Sequence, residues 1–228
     1  MDLRKLIKEQ FKLILNEGKY DLISGLIVDA IWIHIKDSKE DYNNNPEEND
    51  VLFYKQHIKF KNLEFDLQTE INRVESEDFA FNVDGASDVD FIAIKIVINP
   101  IQEELLYNKL NAVLQDTIRH EIEHITQIKG GISTKPQRPD ITPLEVREMI
   151  KSDPSRTYEY FLLPEEIPAM VYGMYRQAKT SKLPITYIFN DYLDYFVETE
   201  KTITPEQKQE IINVWTKYAE KHLPKSIL

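Results

Sequence analysis

Residues 101–129 place the tightest limit on the fold, because Leu106, Leu110, Val113, Leu114, Ile118, Ile122 and Ile125 recur along one side of a helix for about eight turns. Asn99-Pro100 precedes the segment and Gly130-Gly131 follows it, which marks both ends. At 1.5 Å per residue the helix is roughly 44 Å long, so the rest of the chain has to pack along it.

The hydrophobic period changes on either side of this helix. Leu3, Leu6, Ile7, Phe11, Leu13 and Ile14 predict a first amphipathic helix, and Leu22, Ile23, Leu26, Ile27, Ala30 and Ile31 a second, together forming an N-terminal helical part over residues 1–36. Residues 37–50, charged and centred on Asn43-Asn44-Asn45-Pro46, read as an exposed loop. A sheet is expected over 51–99. In it, Leu63, Phe65 and Leu67 alternate with polar residues, and Phe79, Phe81 and Val83 do the same up to a turn signal at Asp84-Gly85. Residues 90–98 are apolar on both faces apart from Asp90 and Lys95, which predicts a strand covered on both sides. Residues 142–228 read as helical, with starts at Thr142-Pro143-Leu144-Glu145, Pro164, Pro184 and Thr204-Pro205-Glu206-Gln207. The pattern is that of an α+β fold in one domain over 1–228: a small sheet, the long helix, and a helical C-terminal half.

Charge and composition exclude several functions. With 39 acidic against 28 basic residues and a net charge of -11, the chain lacks the cationic surface that a phosphate backbone requires, so no nucleic-acid partner is expected. No stretch is apolar enough to span a bilayer, and Met1-Asp2-Leu3-Arg4-Lys5-Leu6-Ile7-Lys8 breaks up its apolar residues with charges, so no membrane partner and cytoplasmic synthesis are the expectations. The absence of cysteine leaves only His and carboxylates to hold a metal.

Within the long helix lies His120-Glu121-Ile122-Glu123-His124, an H-E-x-x-H sequence. Residues four apart lie one above the other on a helix, so both imidazoles can reach one cation, while Glu121, about 100° further round, is placed to touch a water on that cation. A catalytic zinc takes three protein ligands and keeps one position open. His222, beside Lys221 and Glu220, suits a solvated role better. Glu165 and Glu166, which follow Pro164 at a helix start, are the better candidates for the third ligand. Gly173 lies about 20° from Glu166 around a helix and allows close approach to the histidine helix, which favours Glu166. Both glutamates would also suit a helix N-terminus electrostatically.

These residues resemble the zincin metallopeptidases of the gluzincin type, in which a second helix supplies a Glu to the two-histidine helix. The resemblance covers roughly residues 90–178, and Glu166-x-x-Ala169 is similar to the third-ligand pattern; some small phage-encoded proteins share the layout. It implies Zn2+ held by His120, His124 and Glu166, Glu121 as the general base, and a protein or peptide substrate laid along the strand 91–98 as an edge strand. A second reading, from a different class, is a metal-stabilised structural or interaction protein, for example a phage virion component assembled into a larger particle, that keeps the zincin scaffold with weak or no catalysis. Glu123 stands where the extended pattern has an uncharged residue, which predicts a more exposed helix, and Met170 stands where many gluzincins have an Asp. Tyr158, Tyr160, Tyr172 and Arg176 are near enough in sequence to Glu166 to be considered as oxyanion donors, with packing as their expected role. His34 and His57 read as core-edge residues, and Trp215, Tyr218 and Ala219 as helix packing.

Overall fold

A computed structural model of the chain describes residues 20–46, 50–60, 63–76, 80–129, 149–150 and 152–224. The helix expected over 3–14, the Gly130-Gly131 stop and the short helix at Thr142 lie outside the described residues. Helix α1 spans Asp21–Asp37 and buries Ile23, Ile27, Val28, Ile31, Trp32 and Ile35. A six-residue helix, α2, spans Lys39–Asn44 inside the segment expected to be loop, and its Tyr42 is buried. Its local pattern is almost wholly polar, so periodicity gave no sign of it.

Four strands follow: β1 Val51–Phe60, β2 Leu63–Arg73, β3 Phe81–Asp88 and β4 Phe91–Ile98. They form one sheet in the order β1-β2-β4-β3, with β4 parallel to β2 and antiparallel to β3. Two expectations are corrected by this topology. The strand at 91–98 is internal, paired on both sides, and among the described residues the edge positions belong to β1 and β3. Asp84-Gly85 is no turn but sits within β3, where Gly85 pairs with Ile94, and the turn falls at Val89-Asp90. Nor is β4 covered on both faces: Ile92, Ile94, Ile96 and Ile98 are buried, while Phe91 and Lys95 on the other face are exposed.

The long helix, α3, spans Glu103–Lys129. Asn99 prepares its start by accepting the Ile101 N–H at 3.0 Å through Oδ1. Leu110, Leu114, Ile118, Ile122 and Ile125 join α1 and the inner sheet face in one hydrophobic cluster. After a 3-10 turn at Pro154–Arg156 come α4 Thr157–Phe161, α5 Glu166–Ser181, α6 Ile185–Asp194, a π turn at Tyr195–Thr199 and α7 Pro205–His222. Pro184 caps α6, and Thr204 with Gln207 closes a capping box on α7. Phe161, Met174, Phe189, Ile211 and Trp215 anchor a second cluster, in which Trp215 donates from Nε1 to the Phe161 carbonyl at 3.0 Å. The two clusters meet where α3 packs on α5.

Candidate metal centre

On α3, Asp116, His120 and His124 form a column at four-residue spacing, and α5 presents Glu166, Ala169 and Gly173 towards it. Gly173 is what lets the two helices approach: a Cβ there would stand 2.1 Å from Asp116 Oδ1 and 3.0 Å from the Asp116 carbonyl oxygen. At the other end of the seam, Gln127 donates from Nε2 to the Glu165 carbonyl at 3.0 Å, tying the start of α5 to α3. Glu166 is the first residue of α5, reached through a turn in which its N–H bonds the Leu163 carbonyl at 3.0 Å.

The three side chains singled out as ligands converge. His120 Nε2 and His124 Nε2 are 3.0 Å apart, and each is 3.4 Å from Glu166 Oε2. Glu166 is fully buried, and neither of its carboxylate oxygens accepts a hydrogen bond. Burial works against its charge, but the imidazoles of His124 and His120 outweigh this and hold the carboxyl well below the usual carboxylate range. The imidazoles keep only 10% and 6% of their side-chain surface exposed.

This arrangement can hold a metal ion. Four donors around a tetrahedral zinc at 2.0–2.1 Å lie about 3.3 Å from one another, and the 3.0, 3.4 and 3.4 Å edges of the observed triangle fit that spacing. Two neutral imidazoles and one carboxylate are also the donor types zinc accepts when thiolates are absent. A buried carboxylate without hydrogen bonds is costly unless a cation offsets it, which is the second sign of fit.

Glu121 is 2% exposed and lies under β3. Ser87 Oγ donates to its Oε2 at 2.6 Å, and a Cβ on Gly85 would come within 3.0 Å of its Oε1. The sequence carries no sign of Ser87 and marks Gly85 only as part of a turn, since their role depends on a strand packing across a distant helix face. Asp116 was missed too, although its place four residues before His120 was a usable signal.

Glu123 does not expose the helix as expected. Arg119, itself buried, donates from Nη1 to Glu123 Oε2 at 2.9 Å and from Nε to Asp21 Oδ1 at 3.3 Å, and its guanidinium lies 4.7 Å from the centre of the Tyr172 ring. Burial raises the Asp21 pKa, and Arg119, Arg176 and Lys179 oppose that rise. Tyr172 packs on Tyr218 as well, so it serves packing, and Met170 is buried in the second cluster. Tyr158 faces Glu210, and the Arg176 guanidinium lies 3.4 Å from a Cβ position on Gly25. His57 sits exposed on β1 against Asp66 and Glu64 and is no core-edge residue. Trp215 and Ala219 are core, and His222 stacks on Tyr218.

Comparison with known proteins finds no family, no curated protein and no solved structure that matches this chain. Among the described residues, no helix is long and apolar enough to cross a membrane.

Proposed function

We propose that this protein is a zinc-dependent metallopeptidase of zincin type, with His120, His124 and Glu166 as metal ligands and Glu121 as general base. The observation that carries the reading is the triangle of two Nε2 atoms and one carboxylate oxygen, drawn from two helices, at the spacing of a tetrahedral centre. A zinc ion held there by His120, His124 and Glu166 would supply a Lewis acid for a carbonyl oxygen and would bring the pKa of a water towards about 7. Glu121, next to a ligand but rotated about 100° from it, takes the proton from the attacking water on its carboxylate and delivers it to the departing amine. The side chains around Glu121 exclude bulk water, which strengthens each electrostatic contact in the site. An extended peptide substrate would add to the outer edge of β3, whose only strand neighbour among the described residues is β4 and whose inner face touches Glu121.

A second reading, a metal-stabilised interaction protein such as a virion component, is favoured by the near-complete burial of all three ligands at the seam of two hydrophobic clusters. The test is elemental analysis together with digestion of a peptide library. About one zinc per chain is expected, and Glu121→Gln should keep the metal while losing hydrolysis by at least about 100-fold. Undiminished hydrolysis by that variant removes the proposed base. A large fall in melting temperature on chelation, with no peptide cleaved by the zinc-loaded wild type, selects the second reading.

A further inference from the structure

We infer that Ser87 is the positioning residue for Glu121, so that the strand offered to the substrate also aims the base. The inference rests on the hydrolase reading of the same site. Along β3, Phe81, Val83, Gly85 and Ser87 alternate onto the face shared with the buried isoleucines of β4, with Ser87 opposite Ile92. That face meets α3. A side chain at 85 would keep the strand away, because its Cβ would stand 2.6 Å from Thr117 Cγ2 and 3.1 Å from Glu121 Cγ. With glycine there, the strand comes down onto the helix, and the next inward residue reaches the carboxylate.

The contact is a short hydroxyl-to-carboxylate bond of 2.6 Å, within the range of charge-assisted hydrogen bonds. A glutamate has three side-chain torsions, and a general base works only when its oxygen lies within hydrogen-bond reach of the proton it removes. Gly85 limits Glu121 from one side while Ser87 holds one oxygen from the other, so the carboxylate keeps one orientation on α3. The Ser87 side chain touches neither substrate nor ligand in this scheme. Because peptide edge and hydroxyl belong to the same strand, a substrate paired along β3 and the base move as one unit.

The test uses the full chain and the variants Ser87→Ala, Ser87→Thr and Glu121→Ala. In zinc-loaded protein, Ser87→Ala should lower kcat by about 10- to 100-fold, with KM and zinc content unchanged, and Ser87→Thr should restore most of the loss. In metal-free protein, the melting-temperature losses of Ser87→Ala and Glu121→Ala should be less than additive, because the second change removes a bond that is already broken. Additive losses, or a normal kcat in Ser87→Ala, overturn the positioning role while leaving the hydrolase reading in place. Failure of the zinc-loaded wild type to cleave any peptide in a library removes the hydrolase reading and the role together, whereas the metal-free coupling would persist.

Discussion

Replacing Gly173 with alanine sets two effects of opposite sign against each other. Alanine is favoured over glycine inside a helix by about 1 kcal/mol, so local propensity alone predicts a more stable protein. The added Cβ, however, would stand 2.1 Å from Asp116 Oδ1 and 3.0 Å from the Asp116 carbonyl oxygen, where carbon contacts normally begin at about 3.5 Å. The carboxylate can swing aside, but the carbonyl belongs to the backbone of α3 and moves only with the helix. Overpacking of this kind costs about 1–3 kcal/mol, so a net loss of about 1 kcal/mol is expected after the propensity gain. Metal binding should suffer more, because donors on two helices must meet within about 0.2 Å of ideal bond lengths, and a shift of about 0.5 Å between α3 and α5 exceeds that. Urea unfolding of the metal-free protein measures the first effect, and zinc titration against a competing chelator the second, with at least a tenfold weakening expected. Introducing Gly173→Ala into an Asp116→Ala background should still cost most of that loss, since the backbone carbonyl contact at 3.0 Å remains. A Gly173→Ala protein more stable than wild type by about 1 kcal/mol, with unchanged zinc affinity, would refute the close-approach argument.

Two further perturbations test the surroundings of the site. Burial in the Gly173 notch pushes the Asp116 carboxyl up to about 7 from 3.8, so the folded state holds a proton there that the unfolded chain has released. The associated stability is complete below about pH 4 and is lost as pH rises to 7, by at most about 4 kcal/mol. Asp116→Asn should therefore gain on wild type between pH 5 and pH 8 in chelator-containing buffer, and parallel pH-stability curves would contradict the assignment. Arg119→Ala leaves Asp21 and Glu123 without their shared cation and should cost about 3–5 kcal/mol in urea unfolding, part of which Asp21→Asn recovers; a loss below about 1 kcal/mol would show that the network is not coupled.

The cluster of His120, His124 and Glu166 was legible because a helix converts spacing into direction. His120 and His124 are fixed to one face by the period alone, and Gly173 pointed to the glutamate that shares its face on α5. Sheet order carries no such local rule. Asp84-Gly85 has the composition of a hairpin turn, yet Gly85 sits in a strand because Thr117 and Glu121 occupy the space a side chain would need. Strand β1 went unseen as a separate strand since Lys55, Gln56, His57 and Lys59 blur its alternation, and its outer residues are exposed. Strand β4 misled in the opposite way: its continuous apolar run suggested two covered faces, whereas one face meets the core and Phe91 and Lys95 stand in solvent. The consequence for the site is specific, since it moves the expected peptide edge from 91–98 to 81–88 and brings Ser87 into contact with Glu121, the proposed base.

The seam between α3 and α5 also bears on why a carboxylate stands at position 166. Small residues at 169 and 173 let the two helices come close, and a seam of that kind would be filled more favourably by an apolar side chain than by a fully buried carboxylate whose oxygens accept no hydrogen bond. Two imidazoles aimed at the same point, with Nε2 atoms 3.0 Å apart, both face Oε2 and offset part of that cost. The three groups offset one another in part in the metal-free fold, and a divalent cation joined to all three would replace the closest contacts among them with metal–ligand bonds. Binding to the folded state alone then adds directly to stability, by about 4 kcal/mol at a free metal concentration a thousand times the Kd. The hydrophobic clusters on either side meet at this point, so a metal bound there would also fasten α5 to the helix that carries Glu121, the proposed base.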